Sequence, residues 1–280
     1  MAEVELSAGL LSYEDSGGEG PVVVLVGGLA MDASVWRQVM AELAPGHRCL
    51  AITLPLGSHR TPMKPDADLS IRGLARLEAE FLEALDLRDV TLVGNDSGAF
   101  LFAAARYPER IGRLVITTCE AFENFPPGLP GASLVRSARL PGGVAVSANA
   151  LRFGIFRRLP IAYGWMSKRA IPDEILDAWI TPLLRSSAIR RDLRKYLLSA
   201  RRGDMLDAAK ELRSFAKPAL VVWTPEDRVM KPDHGRRFAE LLPQARLVEV
   251  HDSWTLIPED QPLVLARLIR DFVSAPAVQP

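Results

Sequence analysis

The chain has 280 residues, 48% of them hydrophobic, and its 34 basic and 34 acidic side chains give a formal net charge of zero. That length suits one large core with an inserted segment, the neutral balance gives no overall pull toward nucleic acid, and no apolar run approaches the roughly 20 residues that span a bilayer. Cys49 and Cys119 are too few for a disulfide framework, and Met1-Ala2-Glu3-Val4-Glu5 is acidic where a secretory signal is basic and then apolar, so a soluble cytoplasmic protein is expected, as a monomer or homodimer.

In chain order, Val22 to Val26 reads as a strand, followed by a Gly27-Gly28 loop and a helix from about Ser34 to Leu43. Arg48 to Leu54 is the next strand, and Leu69 to Leu85 a long amphipathic helix. Asp89 to Val93 is short and β-branched, as a buried strand should be; Phe100 to Arg106 continues as a helix, and Leu114 to Thr118 is a further strand. Such alternation predicts a mostly parallel sheet with helices on both faces. It stops from about Phe122 to Arg213, where helical periodicity is broken by Pro and Gly. It resumes with a strand at Ala219 to Trp223, a helix from about Pro232 to Leu242, a strand at Arg246 to Val250 and a helix from Pro262 to Val273. Ser274 to Pro280 reads as a loose tail.

Within this pattern, Thr91-Leu92-Val93-Gly94-Asn95-Asp96-Ser97-Gly98-Ala99 places a carboxylate where a strand turns sharply into a helix. Small residues on either side let strand and helix pass closely, and the central residue is held strained and exposed at the end of the sheet. The segment resembles the nucleophile elbow of the α/β-hydrolase fold. With Asp96 at its centre it resembles the epoxide hydrolase and haloalkane dehalogenase branch, in which a carboxylate attacks carbon and a histidine-activated water hydrolyses the resulting ester. A plain helix N-cap is the other role open to Asp96. Ser97, one place out of register, is expected to contribute its backbone N–H to an oxyanion.

The resemblance covers nearly the whole chain. It implies an α/β-hydrolase core of residues 1–121 and 214–280, with a helical cap, residues 122–213, inserted after the sixth strand. Val26-Gly27-Gly28-Leu29 stands where the family has His-Gly-x, so Leu29 takes the place of the second oxyanion donor; Ala30 replaces the following Pro. Tyr107-Pro108-Glu109-Arg110-Ile111 is similar to the family's link into its sixth strand. Trp223-Thr224-Pro225-Glu226-Asp227-Arg228-Val229 resembles the segment bearing the triad acid, which puts Asp227 in that place; an ordinary turn former is the alternative. Glu120 stands where some haloalkane dehalogenases carry their acid. Ser97 and Leu29 occupy the two halide-holding places, so halide abstraction is poorly supported.

The departure with most consequence is in His251-Asp252-Ser253-Trp254-Thr255-Leu256-Ile257-Pro258-Glu259-Asp260-Gln261-Pro262, where the family's acidic pair and Pro align so that Thr255 fills the catalytic histidine's slot. A threonine hydroxyl is no base near neutral pH. Two histidines are candidate substitutes: His251 at the strand end, and His59 in a loop on the sheet edge where functional loops lie. His47 and His234 read as surface residues near helix ends. Tyr163 and Tyr196 in the cap match the paired tyrosines with which epoxide hydrolases protonate the opening oxygen, and equally suit packing. Residues 122–213 carry 16 Lys plus Arg against 8 Asp plus Glu, a basic roof suited to an anionic substrate or to a solvated helical face.

The expected function is therefore epoxide-hydrolase-like chemistry by Asp96 on a small, mainly apolar molecule, with an atypical or absent histidine. An isomerase, lyase or cyclase using Asp96 as acid or base, or a ligand-binding pseudoenzyme, are the alternatives. No metal ligand set or cofactor is assigned.

Overall fold

The computed structural model describes residues 1–275. Its eight strands are β1 (Ala2–Leu6), β2 (Gly9–Asp15), β3 (Val22–Val26), β4 (Arg48–Thr53), β5 (Val90–Asp96), β6 (Ile111–Cys119), β7 (Ala219–Trp223) and β8 (Ala245–Glu249). They form one sheet in the order β1-β2-β4-β3-β5-β6-β7-β8. The β1–β2 and β2–β4 pairs are antiparallel and the rest parallel. The central strands are apolar and buried along their length, as helices on both faces require. β8 carries Arg246 and Glu249 on the open edge, where charge discourages pairing with another chain.

The N-terminal hairpin has no counterpart among the sequence expectations. Its inward residues Leu6, Leu11 and Tyr13 are too few to mark a strand by period, and the pairing of β1 with β2 and of β2 with β4 is what makes a buried face of them.

The core helices are α1 (Arg37–Leu43), α2 (Ile71–Ala84) and α3 (Ala99–Arg106). β3 leads through α1 to β4 on one side, and β5 leads through α3 to β6 on the other. Right-handed crossovers in opposite directions place α1 and α3 on opposite faces, and the loops after the adjacent strands β3 and β5 diverge to leave a crevice. Leu29 and Asp96 stand at its two sides.

Between β6 and β7 come α4 (Gly128–Arg139), α5 (Gly143–Ala150), α6 (Gly154–Arg157), α7 (Asp173–Arg185), α8 (Ser187–Ser199) and α9 (Asp204–Leu212). Helices α4, α5, α7 and α8 pack on one another over the crevice. By contrast, α9, inside the expected cap of residues 122–213, packs on α3 and buries Met205, Ala208, Ala209 and Leu212. The chain closes with α10 (His234–Leu241), α11 (Ile257–Asp260) and α12 (Pro262–Ser274). Ser274 thus ends a helix, and residues 276–280 of the expected tail lie outside the described residues. No helix among the described residues is long and apolar enough to cross a membrane. Cys49 and Cys119 are free and buried.

Candidate active site

Asp96 ends β5 with φ of 65°. This left-handed conformation costs a non-glycine residue about 1–3 kcal/mol and persists only where the surroundings fix it. Here the Glu120 N–H donates to the Asp96 carbonyl at 2.8 Å. A Cβ at Gly94 would collide with the Phe100 ring, and one at Gly28 with the Asp96 carboxylate, so glycine is what allows both close approaches. The Leu29 N–H donates to Asp96 Oδ2 at 2.9 Å. The Ser97 N–H donates instead to the Asn95 carbonyl at 2.9 Å, so of the two expected oxyanion donors only Leu29 reaches the carboxylate. Burial, offset in part by the Leu29 N–H, pushes the Asp96 pKa up to about 6.

Asp96 opens on a cavity of about 340 Å³. Glu120, Tyr163 and Tyr196 line it, with mainly apolar side chains from the roof helices, and no histidine, lysine or arginine among the described residues does so. The excess positive charge of the roof therefore lies outside the cavity, and the interior is not built for an anion. The Gly98 N–H and the Tyr196 hydroxyl donate to Glu120 Oε2 at 3.1 and 3.2 Å. Burial, and then the negative charge of Asp96, push the Glu120 pKa up to about 8 against those two bonds. The Tyr163 hydroxyl is committed to the Ala30 carbonyl at 2.7 Å.

Thr255 is fully buried, and its hydroxyl donates to both carboxylate oxygens of Asp227, at 3.0 and 2.9 Å. The Val229 and Met230 N–H groups also donate to Asp227 Oδ1, at 2.6 and 2.9 Å. Burial outweighs these bonds and pushes the Asp227 pKa up to about 7. Acid and hydroxyl thus meet as the aligned loops imply, beside the cavity rather than in its lining.

Neither substitute histidine reaches the cavity. His251 is exposed, with Nδ1 3.6 Å from Glu226. Asp260 accepts bonds from Ser167 Oγ, the Arg169 N–H and the Trp254 N–H at 2.7, 2.9 and 2.9 Å, which hold the segment that follows His251. His59 is buried and turned toward α8, with Nε2 3.3 Å from Asp192. His47 and His234 do sit near helix ends but are buried rather than on the surface. His47 caps the Leu43 carbonyl, and His234 stacks edge-on to Phe122.

Asn95 carries no motif, yet its carboxamide donates to Thr117 Oγ1, the Thr118 carbonyl and the Thr255 carbonyl at 2.8, 3.1 and 2.8 Å. It ties the elbow to the Thr255 loop. The available signal was a polar side chain at the end of an otherwise apolar strand.

Residues 23–268 match the model of the Alpha/beta hydrolase family. The chain belongs to that family. Among its curated relatives, a haloalkane dehalogenase from Mesorhizobium japonicum is 26% identical over 97% of this chain and 90% of its own length. A cis-3-alkyl-4-alkyloxetan-2-one decarboxylase from Shewanella oneidensis is 28% identical over 92% of this chain and 83% of the relative. Of solved structures, the enol-lactonase from Burkholderia xenovorans LB400 superposes with a TM-score of 0.73 at 20% identity, covering 98% of this chain and all of that one, a likeness of fold. In this family member Asp96 ends β5 and Thr255 lies in the loop after β8.

Proposed function

We propose that this α/β-hydrolase-family enzyme uses Asp96 to attack an electrophilic carbon, such as that of an epoxide, in a small and mainly apolar substrate. The observation that carries this reading is the strained, desolvated Asp96 carboxylate facing an apolar cavity beside a second carboxyl, Glu120, that holds its proton at neutral pH. As the Asp96–carbon bond forms, the carbon–oxygen bond of the ring breaks and its electron pair takes the Glu120 proton. Tyr196, bonded to the same carboxyl, positions it. Glu120 is then a carboxylate with high proton affinity, able to take a proton from the water that attacks the ester carbonyl, with the Leu29 N–H supporting the oxyanion. One group acts as acid and then as base, in place of the imidazole.

Intact-protein mass spectrometry across a panel of epoxides and haloalkanes tests this reading. In heavy-oxygen water a single turnover places the label in the Asp96 carboxylate. Asp96→Asn loses all adduct and turnover, and Glu120→Gln slows both halves by roughly a hundredfold or more, within the usual range of general acid–base catalysis. Silence of the wild type toward every electrophile, or an indifferent Glu120→Gln, overturns it.

A second reading is favoured by the separation of the two pKa values, about 6 for Asp96 and about 8 for Glu120, which makes them a ready base and acid. In that case the substrate is isomerised or cyclised by proton transfer. Deuterium exchange into substrate without an ester marks that outcome.

A further inference from the structure

We infer that the outer face of the roof is a docking surface for an anionic lipid bilayer, through which the cavity receives its substrate. The sequence from residue 124 to residue 172 contains no Asp or Glu but has seven Arg and Lys residues. Arg139, Arg152 and Arg158 are exposed and have no ion-pair partner among the described residues. Large apolar side chains stand in water among them: Val146 is 72% exposed, Phe153 63% and Ile155 73%, with Phe156 and Ile161 at 42% and 47%.

Phe153 adjoins Phe156, and Phe156 shares the cavity wall with Val146 and Ile161, so these apolar side chains are not scattered exceptions. The Phe153 and Phe156 rings meet at 6.2 Å. Val146, Phe156 and Ile161 also line the cavity, so the exposed apolar surface runs into its wall. A soluble protein rarely leaves such a patch uncovered without a partner. Phenylalanine and isoleucine flanked by unpaired arginine is the chemistry of a segment lying in the headgroup boundary, where apolar side chains enter the acyl region and cations meet lipid phosphate. Charge complementarity thus selects an anionic surface, and the aliphatic content selects lipid over an acidic protein. An apolar molecule dissolved in the bilayer then passes along continuous apolar surface to Asp96. Contact is peripheral, since no helix among the described residues is long and apolar enough to cross the membrane.

Flotation of the full-length protein with vesicles tests this independently of any catalysis. Vesicles of phosphatidylcholine with about one third phosphatidylglycerol capture the protein at low salt, and pure phosphatidylcholine vesicles do so far less. Reversing Arg152 and Arg158 (Arg152→Glu, Arg158→Glu) removes the anionic preference, at about fivefold in partition coefficient per charge removed. Phe153→Ser with Ile155→Ser, both solvent-exposed and so neutral to folding by circular dichroism, weakens capture at every lipid composition.

Failure to bind anionic vesicles overturns the inference, as does binding that both variant pairs leave unchanged. Equal retention on soluble polyglutamate, insensitive to Phe153→Ser, would make the face a site for acidic protein instead. A wild-type dimer that Phe153→Ser converts to monomer would make it a contact between copies of this chain.

Discussion

Asp96, Glu120 and Asp227 hold their protons more tightly than solvated carboxyls do, because burial removes water that would stabilise the charge. Their folded-state pKa values lie above the unfolded ones. Their stabilising contribution is therefore fully present below about pH 4 and is lost as pH rises through about 6, 7 and 8. Asp96→Asn removes one of these titrations, so it raises the melting temperature above about pH 6 and leaves it nearly unchanged below about pH 4. A variant with an unaltered pH slope in thermal unfolding would show that the carboxyl is solvated. The proposed attack requires Asp96 ionised and Glu120 protonated, so under that proposal adduct formation against pH follows a bell with limbs near 6 and 8. Glu120→Gln abolishes the alkaline limb, and a rate that climbs steadily into alkali instead rules the acid role out. At Thr255 the carboxylate of Asp227 is already placed to orient an imidazole. Thr255→His therefore accelerates ester breakdown by about a hundredfold to ten-thousandfold, read as shortened adduct lifetime.

Among elements, α8 is tied to the loop after β4 through Asp192, which is fully buried. It accepts bonds from the Met63 N–H at 2.8 Å, Arg191 at 2.7 Å and His59 at 3.3 Å. Burial alone would raise the Asp192 pKa, but the bonds from His59, Arg191 and the Met63 N–H win and hold it below the ordinary value. Its contribution has the opposite sign to that of the site carboxyls, present above about pH 4 and lost in acid as pH falls through the folded value. Asp192→Ala strands a buried imidazole and an N–H, and costs about 3–5 kcal/mol in denaturant unfolding. A loss under about 1 kcal/mol, the scale of an exposed ion pair, would show that roof and core are joined by apolar packing alone. From β3 onward the strands and long helices of the core follow from the sequence to within a few residues, since each carries its own period, whereas the β1–β2 hairpin does not. Nor does the packing of α9 on α3, because α9 is as amphipathic as the roof helices and which neighbour its apolar face meets is decided only on folding.

Over the whole molecule, one cavity between roof and sheet sets which substrates fit. With apolar walls and about 340 Å³ of space, each methylene added to a linear epoxide raises the second-order rate of adduct formation about fourfold until the cavity is full. A flat series would mean that the chain stays outside the cavity.

The sequence by itself determined the mostly parallel sheet and the sharp strand-to-helix turn that carries Asp96, and it singled out Leu29, Asp227 and Thr255 as expectations. Those features are local, written in hydrophobic period, glycine spacing and loop motifs that need no neighbour to be read. Tertiary structure decided the rest. It turned His59 toward α8 and left His251 in solvent, because a side chain's direction depends on which loop is pinned against it. It withdrew the Ser97 N–H from the carboxylate, joined Glu120 to Tyr196 across a long sequence separation, and put the roof's cations outside an apolar cavity. Burial exists only after folding, and burial is what divides three chemically similar carboxyls into groups that titrate near 6, 7 and 8.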